Sequence, residues 1–161
     1  IKAEMTYKMK AYYILIGFFF FFFHLHLSAQ NQNIADSLLV LYHQDRLEGE
    51  EKMELLRNIS FNLLSDLDLA NQIAEELILL AEAQENGLYL FHGYQQKGNA
   101  LQRKGEFEEA IQSYFKSAET AISIGHSSGV GAAYMTIADV YAAMGNENNA
   151  ALYYDKAIEA L

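Results

Sequence analysis

Gly125-His126-Ser127-Ser128-Gly129 fits the string G-x-S-x-G, the turn that presents a nucleophilic serine above an α/β-hydrolase sheet. That chemistry needs a strand into the serine, a helix out of it, and a histidine base later in the chain. Residues 111–124 carry helical spacing instead, and no histidine follows His126. The string is therefore expected to be a loop between helices. His43, His92 and His126 are too scattered for a metal signature of the H-E-x-x-H kind and are expected on the solvated surface. Glu75-Glu76 and Glu108-Glu109 fall near helix starts, where each carboxylate gains a few tenths of a kcal/mol from the helix dipole. The chain has no cysteine, which excludes disulfide and thiolate chemistry. No catalytic, cofactor-binding or metal-binding set is expected, and the chain is not expected to be an enzyme.

The 161 residues have room for one domain and a leader. Beyond Ala29 lie 8 of the 11 Lys+Arg and 20 of the 21 Asp+Glu, a net charge of about −12. So acidic a surface repels phosphate backbones and argues against a nucleic-acid partner. The absence of proline suits a nearly all-helical chain. At the start, Lys8 and Lys10 precede an apolar run from Ala11 to Phe23, followed by Ser28-Ala29-Gln30. This is the pattern of a secretory signal peptide over residues 1–29, cut after Ala29. An uncleaved membrane anchor is the alternative. It needs about 20 apolar residues, against a run of 13 here that His24 and His26 interrupt. Either reading places the rest across an inner membrane, periplasmic or envelope-associated in a Gram-negative bacterium.

The elements that follow repeat. Gly98, Leu101, Gly105, Ala110, Tyr114 and Ala118 fall, 40 residues on, on Ala138, Tyr141, Gly145, Ala150, Tyr154 and Ile158. Forty residues back they fall on Asn58, Phe61, Ser65, Ala70, Ala74 and Ile78. A fixed period of this size marks stacked supersecondary units. Ile34, Leu38, Leu41 and Tyr42 predict a capping helix over 33–45. Helices are then predicted over 50–64 and 67–85, 88–104 and 107–124, and 128–144 and 147–160. Gly105 and Gly145 turn two of the pairs. Ser65-Asp66 turns the other, with Asp66 as N-cap. The domain is expected to run over 30–161, with repeats at about 50–86, 88–125 and 128–161. Leu161 lies inside a helical pattern with no cap, so further chain is expected beyond it.

Tyr94, Gly98, Leu101, Gly105, Ala110, Tyr114 and Ala118 together resemble the tetratricopeptide repeat, as do Tyr134, Ala138, Tyr141, Gly145, Ala150, Tyr154, Ala157 and Ile158. The resemblance implies an all-α, right-handed superhelical solenoid of antiparallel helix pairs. Its small residues let backbones approach, and its aromatics fill the space between layers. The period of 40 rather than 34 is similar to a long-repeat variety found in bacterial regulatory and secreted proteins. The family implies a non-catalytic module binding a protein or peptide, with the first helix of each pair lining a groove. Carried over, the groove residues are Lys52, Asn62, His92, Gln95, Asn99, Gln102, Arg103, Met135, Asp139 and Ala142. Asn99 matches an asparagine that holds peptide backbone in some members, whereas Gln95 stands where carboxylate-binding members have lysine. The alternative is a sensory or assembly segment of a larger signalling protein, such as a histidine kinase or transcriptional regulator.

Overall fold

The structure is a computed structural model describing residues 32–161; the expected leader lies outside these residues. Seven helices run through the described part, with no strand among them: α1 over residues 32–44, α2 Gly49–Asn62, α3 Leu67–Ala83, α4 Gly87–Lys104, α5 Phe107–Ser123, α6 Ser127–Ala143 and α7 Glu147–Glu159. From α2 onwards each helix end lies within two residues of its predicted position.

Local chemistry sets these ends. After α4, the Glu106 N–H donates to Leu101 O and the Gly105 N–H to Gln102 O, both at 3.0 Å. This closing pair requires a left-handed residue between them, and Gly105 supplies φ +83°. Gly125 and Gly145 do the same after α5 and α6, at φ +67° and +74°. After α3 the corresponding residue is Glu85, at φ +53°, a conformation a side chain adopts at a cost of about 1–2 kcal/mol. Starts are capped by side chains: Asp66 accepts from the Leu69 N–H at 2.9 Å, and Asn86 and Asn146 accept from the N–H groups three residues on.

The helices pack in sequence order, and α2 also touches α4 while α4 touches α6. The backbones of the second helices of the pairs, α3, α5 and α7, stay apart from one another, and α5 and α7 meet through the Phe115 and Tyr153 rings. First helices therefore converge and second helices splay, which curves the stack with α2, α4 and α6 inside. Closeness depends on small side chains. Ala70, Ala74, Ala110, Ala118 and Ala138 are buried, and a Cβ on Gly98 would lie 2.5 Å from Tyr114 Cε1. α1 covers the first pair: Ala35, Leu38, Leu39 and Tyr42 join Leu55, Leu56, Ile59 and Leu77 in one cluster.

Three expectations need correction. Residues 127–129 belong to α6 rather than a loop, so Ser127 follows a helix and a turn, not a strand. Tyr154 does not fill an interlayer space as Tyr114 does, because no described helix lies beyond α7. It is 39% exposed, against 0% for Tyr114. The 40-residue spacing holds for the starts of α3, α5 and α7 but slips by one or two residues in α2. Phe61, aligned with buried Leu101, is 54% exposed, while Leu63, aligned with exposed Arg103, is 2% exposed. The connection over residues 63–66 is longer than Gly105-Glu106, and it absorbs the slip.

Candidate partner-binding face

The inner face is clearest on α4. His92, Gln95, Asn99 and Gln102 are half-buried along it, and Arg103 is exposed at its end. Asn99, Gln102 and Arg103, with Phe107 from the start of α5, line a cleft of about 370 Å³. Its floor is fixed from behind. Tyr114 Oη lies 2.8 Å from Asn99 Oδ1 and 2.7 Å from Gln102 Oε1. One phenol proton donates to one carbonyl oxygen at a time, so the other amide satisfies the phenol oxygen by presenting its NH₂ group. Asn99 Nδ2 donates in turn to Gln96 Oε1 at 3.1 Å. Burial pushes the Tyr114 phenol up; Asp139 adds to the shift and Arg103 opposes it. The hydroxyl thus stays protonated and holds both amides in place. Asn99 is consequently a structural residue as well as a groove residue.

The next layer repeats this bond. Tyr154 Oη donates to Asp139 Oδ1 at 2.6 Å, 40 residues on from Tyr114 and Asn99. Met135, Asp139 and Ala142 are all exposed on α6. The inner face therefore passes from amides and a guanidinium on α4 to a thioether and a methyl on α6.

On α2 the structure replaces the carried-over residues. Lys52 bridges Glu76 of α3 at 3.1 Å and Asp45 at 3.5 Å, which ties the first pair to the end of α1. The same Glu76 accepts from Tyr42 Oη at 2.7 Å. Asn62 Nδ2 is spent on Asn58 O at 2.8 Å. The residues beside α4 are instead Glu54, Arg57 and Asn58. Arg57 Nε and Nη2 donate to the two carboxylate oxygens of Glu54 at 3.0 and 2.5 Å, a fork geometry. Asn58 Nδ2 donates to the same carboxylate at 3.0 Å, and Tyr89 Oη of α4 donates to it at 3.1 Å. The Arg57 and Asn58 donors hold the Glu54 carboxyl below its ordinary range, with Tyr89 helping and burial opposing. Phe61, one turn on, shows half its surface beside them. Their i, i+3 and i+4 spacing was the available signal, hidden by the register slip.

His92 is the other correction. It is half-buried, not solvated, because Phe91 and Tyr89 pack their rings against it at centroid distances of 4.9 and 6.5 Å. Burial lowers its pKa, and the nearby Arg57 and His126 lower it further against the pull of Glu54. A neutral imidazole thus sits where α2, α4 and the start of α6 meet. No group of three or more His, Asp or Glu side chains among the described residues is placed to hold a metal.

Residues 90–161 match the family model of the tetratricopeptide repeat. Among solved structures, the chain is similar to the TPR domain of Arabidopsis FLU, with a TM-score of 0.63 and 23% identity over 68% of this chain and 94% of that one. It is also similar to BtubC (BKLC) from P. vanneervenii, with a TM-score of 0.60 and 17% identity over 83% of this chain and 55% of that one. No curated protein matches the chain. Convergent first helices, splayed second helices and buried alanines at the close approaches agree with these matches: the described residues form an all-α helical-repeat fold, and residues 90–161 match the tetratricopeptide repeat.

Proposed function

We propose that the chain is a non-catalytic module that captures a segment of another protein on the inner face of α2, α4 and α6. The observation that carries this is the Asn99–Gln102–Arg103–Phe107 cleft. Its amides are held by Tyr114, and no carboxylate of the described residues pairs with Arg103. Paired amides suit peptide backbone, and a free guanidinium suits a carboxylate. Solenoids of this kind use their concave surface for binding, and capture of an extended or helical segment in a groove is a recurrent mode. The basic and apolar pattern of residues 8–29 further supports export of the module.

The experiment is capture of envelope proteins by the tagged full chain, compared with Arg103→Glu. Reversing an exposed charge leaves the fold alone, so the melting temperature should stay within a degree or so while capture falls about tenfold, equivalent to about 1.4 kcal/mol. Equal capture by both proteins would place the binding surface elsewhere. Cell fractionation tests export, and recovery only with the cytosol would refute it.

A further inference from the structure

The two ends of the described stack differ. α1 covers the first pair, whereas α7 turns Ala151, Tyr154, Ile158 and Leu161 to solvent, at the three- and four-residue spacing of one helix face. Ile158 is 72% exposed and Leu161 85%. Forty residues back the same positions are Ile111, Tyr114, Ala118 and Ala121, all buried where α6 packs on α5. In the layer before that, Ala74, Ile78 and Ala81 are buried where α4 packs on α3. Each earlier second helix thus holds the first helix of the following pair on this stripe.

Two positions set what the stripe accepts, and they vary between layers. At one, Ile78 faces Gly93 of α4, where a Cβ would lie 2.7 Å from Ile78 Cγ1. The corresponding residues of α5 and α6 are Ala118 and Ala133, both buried, so the bulkier side chain goes with the glycine. At the other, Glu75 pairs with Lys97 of α4 at 2.7 Å. There α5 and α6 have Phe115 and Ile137, which join one apolar cluster with Tyr134, Tyr141 and Tyr153. In that cluster Tyr153 packs on the Phe115, Tyr134 and Tyr141 rings at 5.5, 6.0 and 5.6 Å. α7 returns to the chemistry of α3, with Ile158 at the first position and Asp155 at the second. An isoleucine there calls for glycine opposite it, and a carboxylate calls for a cation.

Charge around the stripe agrees. Residues 127–161 carry Asp139, Glu147, Asp155 and Glu159 against one lysine, Lys156, whose ammonium lies over the Tyr134 and Tyr153 rings at 5.8 and 4.8 Å. A second copy of the chain would bring the same carboxylates to the contact, like against like, whereas a basic helix complements them. α4 is the internal example. It has Lys97, Arg103 and Lys104 and no carboxylate, and Lys104 reaches Asp68 of α3 at 2.8 Å.

We propose that the open face of α7 docks a basic amphipathic helix of another protein, with glycine against Ile158 and, four residues on, lysine or arginine against Asp155. This site is separate from the inner face. The probe is a fluorescein-labelled synthetic copy of residues 87–104, held helical by a side-chain lactam between positions 95 and 99, and its binding to the full chain is read by anisotropy.

The peptide should bind saturably, and Ile158→Glu in the protein or Gly93→Leu in the peptide should each weaken it about tenfold. Ile158 is exposed, so its variant keeps the wild-type fold. Asp155→Lys should weaken binding about threefold, and Lys97→Glu in the peptide should restore it to that variant. Arg103→Glu should leave it unchanged. The proposal is overturned if the peptide does not bind at about 1 mM, or if binding survives Ile158→Glu or Gly93→Leu. Loss with Arg103→Glu would put the peptide on the inner face instead, which also overturns it. So would sedimentation showing a dimer of the free chain that Ile158→Glu abolishes, since the face would then belong to a second copy.

Discussion

The slot between α3 and α5 and the slot between α5 and α7 are one architectural position seen twice, and they differ in almost every side chain that fills them. In the second, Ile137, Tyr141 and Tyr153 exclude water. In the first, Lys97, Leu101 and Ser113 leave a polar hollow. What the two share is the framework: Ala110 and Ala150 at the close approaches, the glycines that end the helices, and a lysine over a tyrosine. The repeat is thus held by a few small and left-handed positions, and the space they create is free to be packed core or polar hollow.

The largest difference between the slots should come from deleting their fillings. Tyr153→Ala removes three aromatic contacts and should cost about 3 kcal/mol in chemical denaturation. Ser113→Ala at the matching position should change stability by about 1 kcal/mol or less, because its hydroxyl bonds only the Glu109 carbonyl within its own helix. Equal losses would mean the first slot is packed too.

A smaller contrast lies on the inner side. Tyr114→Phe strands the Asn99 and Gln102 amides and should cost about 1 kcal/mol. Tyr154→Phe, whose phenol reaches Asp139 from an exposed position, should be silent in the same measurement. The double mutant should then match Tyr114→Phe alone.

The smallest effect is pH-dependent. The His92 pKa is depressed below the 6.5 of a free imidazole, so the unfolded chain takes up its proton first as pH falls. The contribution of the neutral ring is therefore present above 6.5 and is lost progressively below it, down through the folded-state pKa. An imidazole titration by NMR should give a midpoint below 6.5, and His92→Gln should lose less stability than wild type between pH 7 and pH 5. A midpoint above 6.5 would mean that Glu54 outweighs burial.

The sequence showed the starts of α3, α5 and α7 because Asp66, Glu106 and Asn146 recur at one interval, two of them behind glycines that force a turn. It hid the register of α2, because Ser65 lacks the left-handed freedom that pins the other turns, and α2 ends early at Asn62. The family register therefore puts Lys52 in the groove, whereas its ammonium binds Asp45 and Glu76. His92 looked like any surface histidine; its flanking Tyr89 and Phe91 were the clue to burial. The polar slot is not legible in the family motif, because its positions lie outside it. Comparing residues 71, 97 and 113 with 111, 137 and 153 exposes it directly.

The most direct test of the claim that the two slots are one position with two fillings is to give the first slot the side chains of the second. The variant carrying Asn71→Ile, Glu75→Phe, Lys97→Ile and Ser113→Tyr should keep the helicity of the wild type and melt at a higher temperature, since it trades polar walls and a void for apolar packing. Loss of helicity, or melting several degrees below the wild type, would show that the slots are not equivalent.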